Sequence, residues 1–319
     1  MWNINNVVEA LGKGKFALKI LSVSIVMLLL VGFVYQSYSS YVDSISFDKR
    51  GEMIDIGGYS LYVEDTGTGK VTVIFDAGMG DDSSVWNKVV EEVSQFSRVI
   101  TYDRAGLGWS EKSPHERDSK TIVAELHSVL EEKGITGPII LVGHSFGGVN
   151  MQRYALTYPE DVAALVLVDS AHEDQITKMP QASFLQKYLF KFGMWAAPVG
   201  IPRLYLSNIN PEEKAKKSTT KHQYTSLDEA EYFLRSLSEL NELKPNYGDM
   251  PLVVIARNKA SSEIGNTKAR DLVWATLQEN IATRSTNSTI IFSGARQHSI
   301  HKMQPEIVIE AIQTLAESL

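Results

Sequence analysis

The sequence contains no cysteine. That excludes disulfides, thiolate metal sites and a cysteine nucleophile. It leaves the compartment open, because a disulfide-free protein can live on either side of a membrane. Positive charge is also scarce: 31 lysines and arginines stand against 38 aspartates and glutamates, for a formal net charge of -7. A nucleic-acid partner calls for a basic face, so that class of function is set aside. Internal repeats and low-complexity tracts are lacking too. What is present is ordinary for a globular protein with a sizeable core: 44% hydrophobic and 22% charged residues in 319. That length allows one large domain or two small ones.

Charge is nearly missing from one further stretch. From Phe16 to Tyr35 the chain reads FALKILSVSIVMLLLVGFVY, with Lys19 its only charge. A helix of about 20 such residues spans a hydrocarbon core. Lys13, Lys15 and Lys19 precede the apolar centre, which places the N-terminus in the cytoplasm and the remainder of the chain outside. Tyr35, Tyr38 and Tyr41 then fall near the outer interface. A cleaved signal peptide shares the charged start and apolar middle, but no Ala-x-Ala-like site follows Tyr35. A buried core helix is rarely apolar on all faces. The expected organisation is a short cytoplasmic stretch (1–15), a transmembrane helix or signal anchor (16–37), a polar linker (38–50) and a domain over 51–319.

Within that domain the pattern alternates. GEMIDIGGYSLYVEDTGTG holds two short runs split by Gly57-Gly58, the mark of a hairpin. VTVIFDAGMG, SRVITYDRAGLGWS, GPIILVGHSFGG, VAALVLVDSAHED, MPLVVIARN and STIIFSG are short, rich in β-branched residues and nearly continuous in apolar ones. Strands buried on both faces read this way. Helical patterns lie between them. In SKTIVAELHSVLEEKG, Ile122, Val123, Leu126, Val129 and Leu130 share a face; in the final QPEIVIEAIQTLAESL, Ile307, Val308, Ala311, Ile312 and Leu315 do. This predicts an α/β fold with a mostly parallel central sheet flanked by helices. Residues from about 175 to 245 break the alternation and read as a helical cap. Insertions at the carboxyl ends of strands sit above the ligand crevice of such sheets. The cap's Phe184, Tyr188, Phe192, Met194 and Trp195 are expected to form its own core rather than a lid face.

Gly143-His144-Ser145-Phe146-Gly147 directly follows a predicted strand and directly precedes a helix. A nucleophile elbow demands that context: a tight turn that lifts a serine hydroxyl out of the sheet. A serine is a weak nucleophile and needs a base. Of seven histidines, His298 is the best placed, in the loop between the last strand and the last helix. His301 competes, and His144 should point away from the serine. No carboxylate is spaced to make His298 and His301 a metal pair. The base needs an acid to orient it. Asp169 ends a core strand and is favoured; Glu263, after PLVVIARNKASS, is the alternative acid, and Asp174 a weaker third. Phe146 N–H and Met79 N–H, the latter in the turn DAGMG, are the expected donors to an oxyanion. Asp103 and Arg104 of YDRAGLGWS are expected to tie loops together, and Trp86 and Trp109 to pack.

Taken in order, GGYSLYVEDTGTG, VTVIFDAGMGDDSSVW, TYDRAGLGWS, LVGHSFGG, LVLVDSAHEDQ and HSIHKMQPEIVIEAI resemble the α/β-hydrolase superfamily over about residues 51 to 319, with the insertion at the place of its cap. The resemblance implies a serine nucleophile, an acid and a histidine in that chain order, mapping onto Ser145, His298 and an oxyanion turn at Gly78-Met79. Two departures stand out. The usual His-Gly of that turn is Ala77-Gly78, and the common acid position after the penultimate strand has no aspartate. Some members carry the acid at the end of the preceding strand, which matches Asp169. The expected function is a membrane-anchored, outward-facing serine hydrolase acting on an ester of a small or lipid-like acyl substrate, with no metal or organic cofactor. Amide, thioester, lactone and carbon-carbon hydrolysis share this machinery. A non-catalytic binding or receptor protein on the same scaffold is the reading of another class.

Overall fold

A computed structural model describes residues 4–179, 184–258, 265–294 and 296–319. The chain begins with one uninterrupted helix, α1 (Ile4–Ser46), followed by the hairpin β1 (Glu52–Asp55) and β2 (Ser60–Thr66). Then come β3 (Thr72–Asp76), α2 (Asn87–Val93), β4 (Arg98–Tyr102), α3 (Ser119–Glu132), β5 (Ile139–His144), α4 (Phe146–Thr157) and β6 (Val162–Val168). Among the described residues the cap's elements are all helices: α5 (Gln175–Lys178), α6 (Phe184–Trp195), α7 (Ile201–Tyr205), α8 (Pro211–Lys217) and α9 (Thr220–Glu242). The chain closes with β7 (Leu252–Ala256), α10 (Gly265–Ala282), β8 (Ser288–Phe292), α11 (Ile300–Met303) and α12 (Pro305–Ser318).

The eight strands form a single sheet in the order β1-β2-β4-β3-β5-β6-β7-β8. β2 runs antiparallel to β1 and β4; every other pairing is parallel. Alternate residues of the central strands feed two separate cores. Ile139 and Leu141 of β5, with Leu165 and Leu167 of β6, pack on one face against Val123, Leu126 and Val129 of α3 and Met151 and Tyr154 of α4. Ile140, Val142, Val166 and Val168 pack on the other against Val89 and Val93 of α2 and Val308, Ile312 and Leu315 of α12. That two-sided burial is why these strands read as unbroken apolar runs rather than as alternation. All crossovers place the carboxyl ends of β3, β5, β6, β7 and β8 along one edge, where the cap insertion leaves the sheet.

Two expectations are corrected. Residues 38–46, expected as linker, continue α1. No glycine or proline stands between Gly32 and Gly51 to stop the helix, and the cap grips it: Gln36 Nε2 donates to Ser218 O at 2.8 Å, and Arg203 pairs with Asp43 at 2.6 Å. The expected aromatic core of the cap is largely outside it. Met194 is buried, but Tyr188, Phe192 and Trp195 are more than half exposed; the side chain of Phe184 lies outside the described residues. α6 turns that stripe away from the sheet. The segment Gly12–Ser46 is long and apolar enough to cross a membrane, and its apolar side chains are exposed.

Candidate active site

Ser145 occupies the single residue between β5 and α4, at φ 53° and ψ -115°. Such a conformation costs a non-glycine residue about 1–3 kcal/mol. The surrounding backbone imposes it: Ser145 N donates to Val168 O at 3.2 Å, and its carbonyl accepts from Gly148 N at 3.1 Å and Ala171 N at 3.0 Å. The flanking glycines are steric necessities. A Cβ on Gly143 would lie 2.5 Å from Gly147 O, and one on Gly147 would lie 2.5 Å from Ala77 O. The second contact also shows how closely the elbow abuts the turn after β3. Phe146 is the first residue of α4, so its amide is one of the helix's unpaired donors. Met79, from the neighbouring turn, lines the same cavity as Ser145.

His298 follows β8 and also lines that cavity. Its Nδ1 lies 2.6 Å from Asp169 Oδ2. Asp169 is fully buried at the end of β6, with φ 45°. It is thus one of only three non-glycine residues with positive φ among those described, the others being Ser145 and Lys244. Its amide donates to Ile255 O at 2.6 Å, which pins it beside β7. Its carboxylate is fully occupied. Trp274 Nε1 donates to Oδ1 at 2.7 Å, Arg257 N donates to Oδ1 at 3.1 Å, and the Arg257 guanidinium lies 3.3 Å from Oδ2. Burial alone would raise its pKa. The hydrogen bond and charge of His298, the Arg257 guanidinium and the Trp274 N–H outweigh burial and hold it below the usual carboxylate value. An ionised Asp169 accepts from His298 Nδ1–H, leaving Nε2 as the nitrogen able to take a proton.

The structure therefore brings Ser145, His298, Asp169, Phe146 and Met79 to one end of the sheet. The alternative acid Glu263 lies outside the described residues. Asp174 is partly exposed and pairs with Lys178 at 2.7 Å. His301 is buried between Trp86 and His144, with ring centroids 4.4 Å away on each side. Sequence reasoning missed three participants. Trp274 sits mid-helix in α10 with no local signal. Arg257 follows β7, at the position where the family commonly carries an acid, and donates to Asp169. His144 turns from the serine but packs against His298, ring centroids 4.5 Å apart, with Nε2 3.1 Å from the His298 carbonyl oxygen. His144, next to Ser145 in sequence, thereby supports His298.

Arg104 couples this end of the sheet to the cap. It is 1% exposed, and all five of its N–H groups find acceptors. It binds Asp76 Oδ1 at 2.6 Å, Ala77 O and Gly78 O at 2.7 Å, and both oxygens of Glu229 on α9 at 2.7 and 3.0 Å. Glu229 Oε2 in turn accepts from Gly80 N at 2.8 Å. The turn carrying Met79 is thus held from both sides. The cavity beside Ser145 measures about 790 Å³. Ile176, Met179, Leu227, Phe233 and Leu234 of the cap roof it with apolar surface, while Lys191, Glu231, Arg257 and Arg270 stand on its wall.

Comparison with known proteins agrees with this architecture. The family model described as "alpha/beta hydrolase fold" matches residues 71–203. The uncharacterized protein YqjL of Bacillus subtilis is 30% identical over 246 residues, covering 77% of this chain and 83% of that protein. The 2-hydroxy-6-oxo-2,4-heptadienoate hydrolase of Pseudomonas putida is 32% identical over 122 residues, 37% of this chain and 44% of that one. A thermophilic esterase from Thermogutta terrifontis superposes with a TM-score of 0.57 at 22% identity, over 82% of this chain and 94% of that chain, a likeness of fold. By its strand order, its strained serine elbow and this similarity, the chain belongs to the α/β-hydrolase superfamily.

Proposed function

We propose that the protein is a serine hydrolase that cleaves a carboxylic ester, or a related acyl bond, through an acyl-enzyme. Ser145 attacks the carbonyl carbon while His298 Nε2 takes its proton. Asp169 fixes the imidazole tautomer and stabilises the imidazolium. The Phe146 and Met79 amides stabilise the oxyanion, and His298 returns its proton to the leaving group. Water, activated by the same imidazole, then attacks the acyl-enzyme and frees Ser145. The observation that carries the reading is the 2.6 Å contact between a buried, ionised Asp169 and His298, which lines the same cavity as the strained Ser145. A carboxylate this deeply buried and fully hydrogen-bonded serves to hold a histidine, not to meet solvent.

The apolar roof supports an acyl chain as the group bound there. The anchoring by α1, with the enzymatic domain on the outer side, belongs to the same reading; its support is the uncharged run Ile20–Tyr35 behind three lysines. A second reading, hydrolysis of a carbon-carbon bond in a keto acid, is favoured by one observation. Lys191, Arg257 and Arg270 border the cavity and suit the carboxylate of a keto acid such as the one in the name of the Pseudomonas relative. The test is fluorophosphonate labelling of the full-length chain in detergent, beside Ser145→Ala and His298→Ala. Labelling that needs both residues supports an activated serine; a folded protein that stays unlabelled overturns it. Turnover of a chain-length series of neutral esters against a vinylogous keto acid then separates the two chemistries.

A further inference from the structure

The cap touches α1 within its apolar run. A Cβ on Gly32 would lie 2.7 Å from Val199 O, so the helix backbone meets the Ala197–Val199 turn directly. The contact continues along one stripe of α1. Gln36 Oε1 accepts from Arg203 Nε at 2.8 Å, Ser40 Oγ accepts from Arg203 at 3.1 Å, and Asp43 pairs with Arg203 at 2.6 Å. Gln36 and Arg203 are 3% and 5% exposed, so the centre of this polar seam is dry. Residues 32, 36, 40 and 43 lie within about 80° of one another around a helix of 3.6 residues per turn. The seam therefore fixes the height of the cap on α1.

That height has a consequence for the bilayer, on the reading that α1 spans it. The 20 residues from Phe16 to Tyr35 rise about 30 Å, the thickness of the hydrocarbon core. Gly32 stands three residues, about 5 Å, inside the outer end of that run. The turn that touches it must lie at the hydrocarbon boundary. On either side of this turn the cap exposes large apolar side chains: Leu185 (64%), Leu189, Phe192 and Trp195 (69%) on α6, and Leu204 and Tyr205 on α7. The four on α6 fall within a stripe about 120° wide. A soluble monomer rarely leaves so many large apolar side chains on neighbouring helices to water, and tryptophan and tyrosine favour the membrane-water interface.

We propose that this face of α6 and α7 is seated in the outer interfacial layer of the bilayer that holds α1. Lys191 of α6 lines the cavity beside Ser145, so that helix then lies between lipid and the candidate active site. The chain's lack of cysteine makes the test clean. Full-length Phe192→Cys, Leu28→Cys and Gln313→Cys proteins, each labelled with an environment-sensitive fluorophore, are reconstituted in phosphatidylcholine–phosphatidylglycerol vesicles. A fraction of the lipid carries a nitroxide near the headgroup end of its acyl chain. The expected result is blue-shifted emission and at least about twofold quenching at Phe192 as well as at Leu28, as for groups buried about 5–10 Å into the interface, with Gln313 unaffected. Quenching at Leu28 with a water-exposed Phe192 overturns the proposal and leaves the spanning helix standing. A shielded but unquenched Phe192 whose shift depends on protein density assigns the face to a second copy and also overturns it. A Leu28 label in water refutes the spanning helix, and the proposal with it.

Discussion

Replacing Asp169 by asparagine changes one atom and tests the whole arrangement. Two donors, the indole Trp274 Nε1–H and the backbone Arg257 N–H, point at Oδ1 from 2.7 and 3.1 Å. They force the asparagine carbonyl oxygen into that position and its amide nitrogen into the place of Oδ2. That nitrogen would stand 2.6 Å from His298 Nδ1 and 3.3 Å from the Arg257 guanidinium. Flipping the amide is worse, since it sets –NH2 against two donors. An amide N–H facing Nδ1 makes Nδ1 the acceptor and drives the imidazole proton to Nε2, the nitrogen that must deprotonate Ser145. The wrong tautomer and the lost charge together predict a fall in kcat of about 10⁴-fold, or about 5 kcal/mol. KM should change little, because Asp169 is fully buried and does not line the cavity. The assay is hydrolysis of the best ester substrate, with a thermal melt to confirm folding. A folded Asp169→Asn protein keeping more than about a tenth of kcat would refute both the acid assignment and the tautomer argument.

Trp274→Phe deletes one hydrogen bond to the same carboxylate and should lower kcat/KM about tenfold, the value of roughly 1.5 kcal/mol for a bond to a charged group; an unchanged rate would mean that Arg257 and His298 suffice. Arg104→Met leaves Asp76 and Glu229 buried without a counter-charge and should destabilise the fold by about 3–5 kcal/mol in urea melts; a loss under about 1 kcal/mol would contradict the coupling of turn and cap. Burial, aided by neighbouring positive charge, pushes His301 down to about 3 and His222 to about 4, and His144 well below its ordinary value of 6.5. Their unfolded forms bind protons near pH 6.5, so the unfolded state gains protons first and stability falls as pH drops from there toward the folded values. Each histidine contributes up to about 1.4 kcal/mol per pH unit. His301→Phe should flatten that slope by about one proton, and a melting temperature that stays level between about pH 6.5 and 4.5 would rule the account out.

Much of this architecture is legible in local pattern. β5 and β6 are buried on both faces, so Ile139–Val142 and Val162–Val168 had to be continuous apolar runs. Gly143 and Gly147 are demanded by backbone contacts 2.5 Å from any added Cβ, so the elbow announces itself. Asp169 was reachable because a strand end beside the elbow is a small set of positions. The supports of that aspartate were not reachable. Trp274 is 105 residues away and Arg257 is 88, and nothing in either neighbourhood distinguishes a donor from a packing residue. The cap aromatics differ from expectation for a related reason: spacing shows that they share a face, while only the packing of α6 shows which way that face points.

The sequence by itself determined the order of strands and helices, the serine turn and the long apolar helix, because each depends on residues within one or two turns of one another. Tertiary structure alone decided which histidine meets which acid, how Arg104 ties the β3 turn to α9, and where the cap stands on α1. Those outcomes rest on hydrogen bonds spanning 125, 129 and 167 residues. Such bonds form only once the sheet has set the distance between its strand ends, and no local pattern carries that distance.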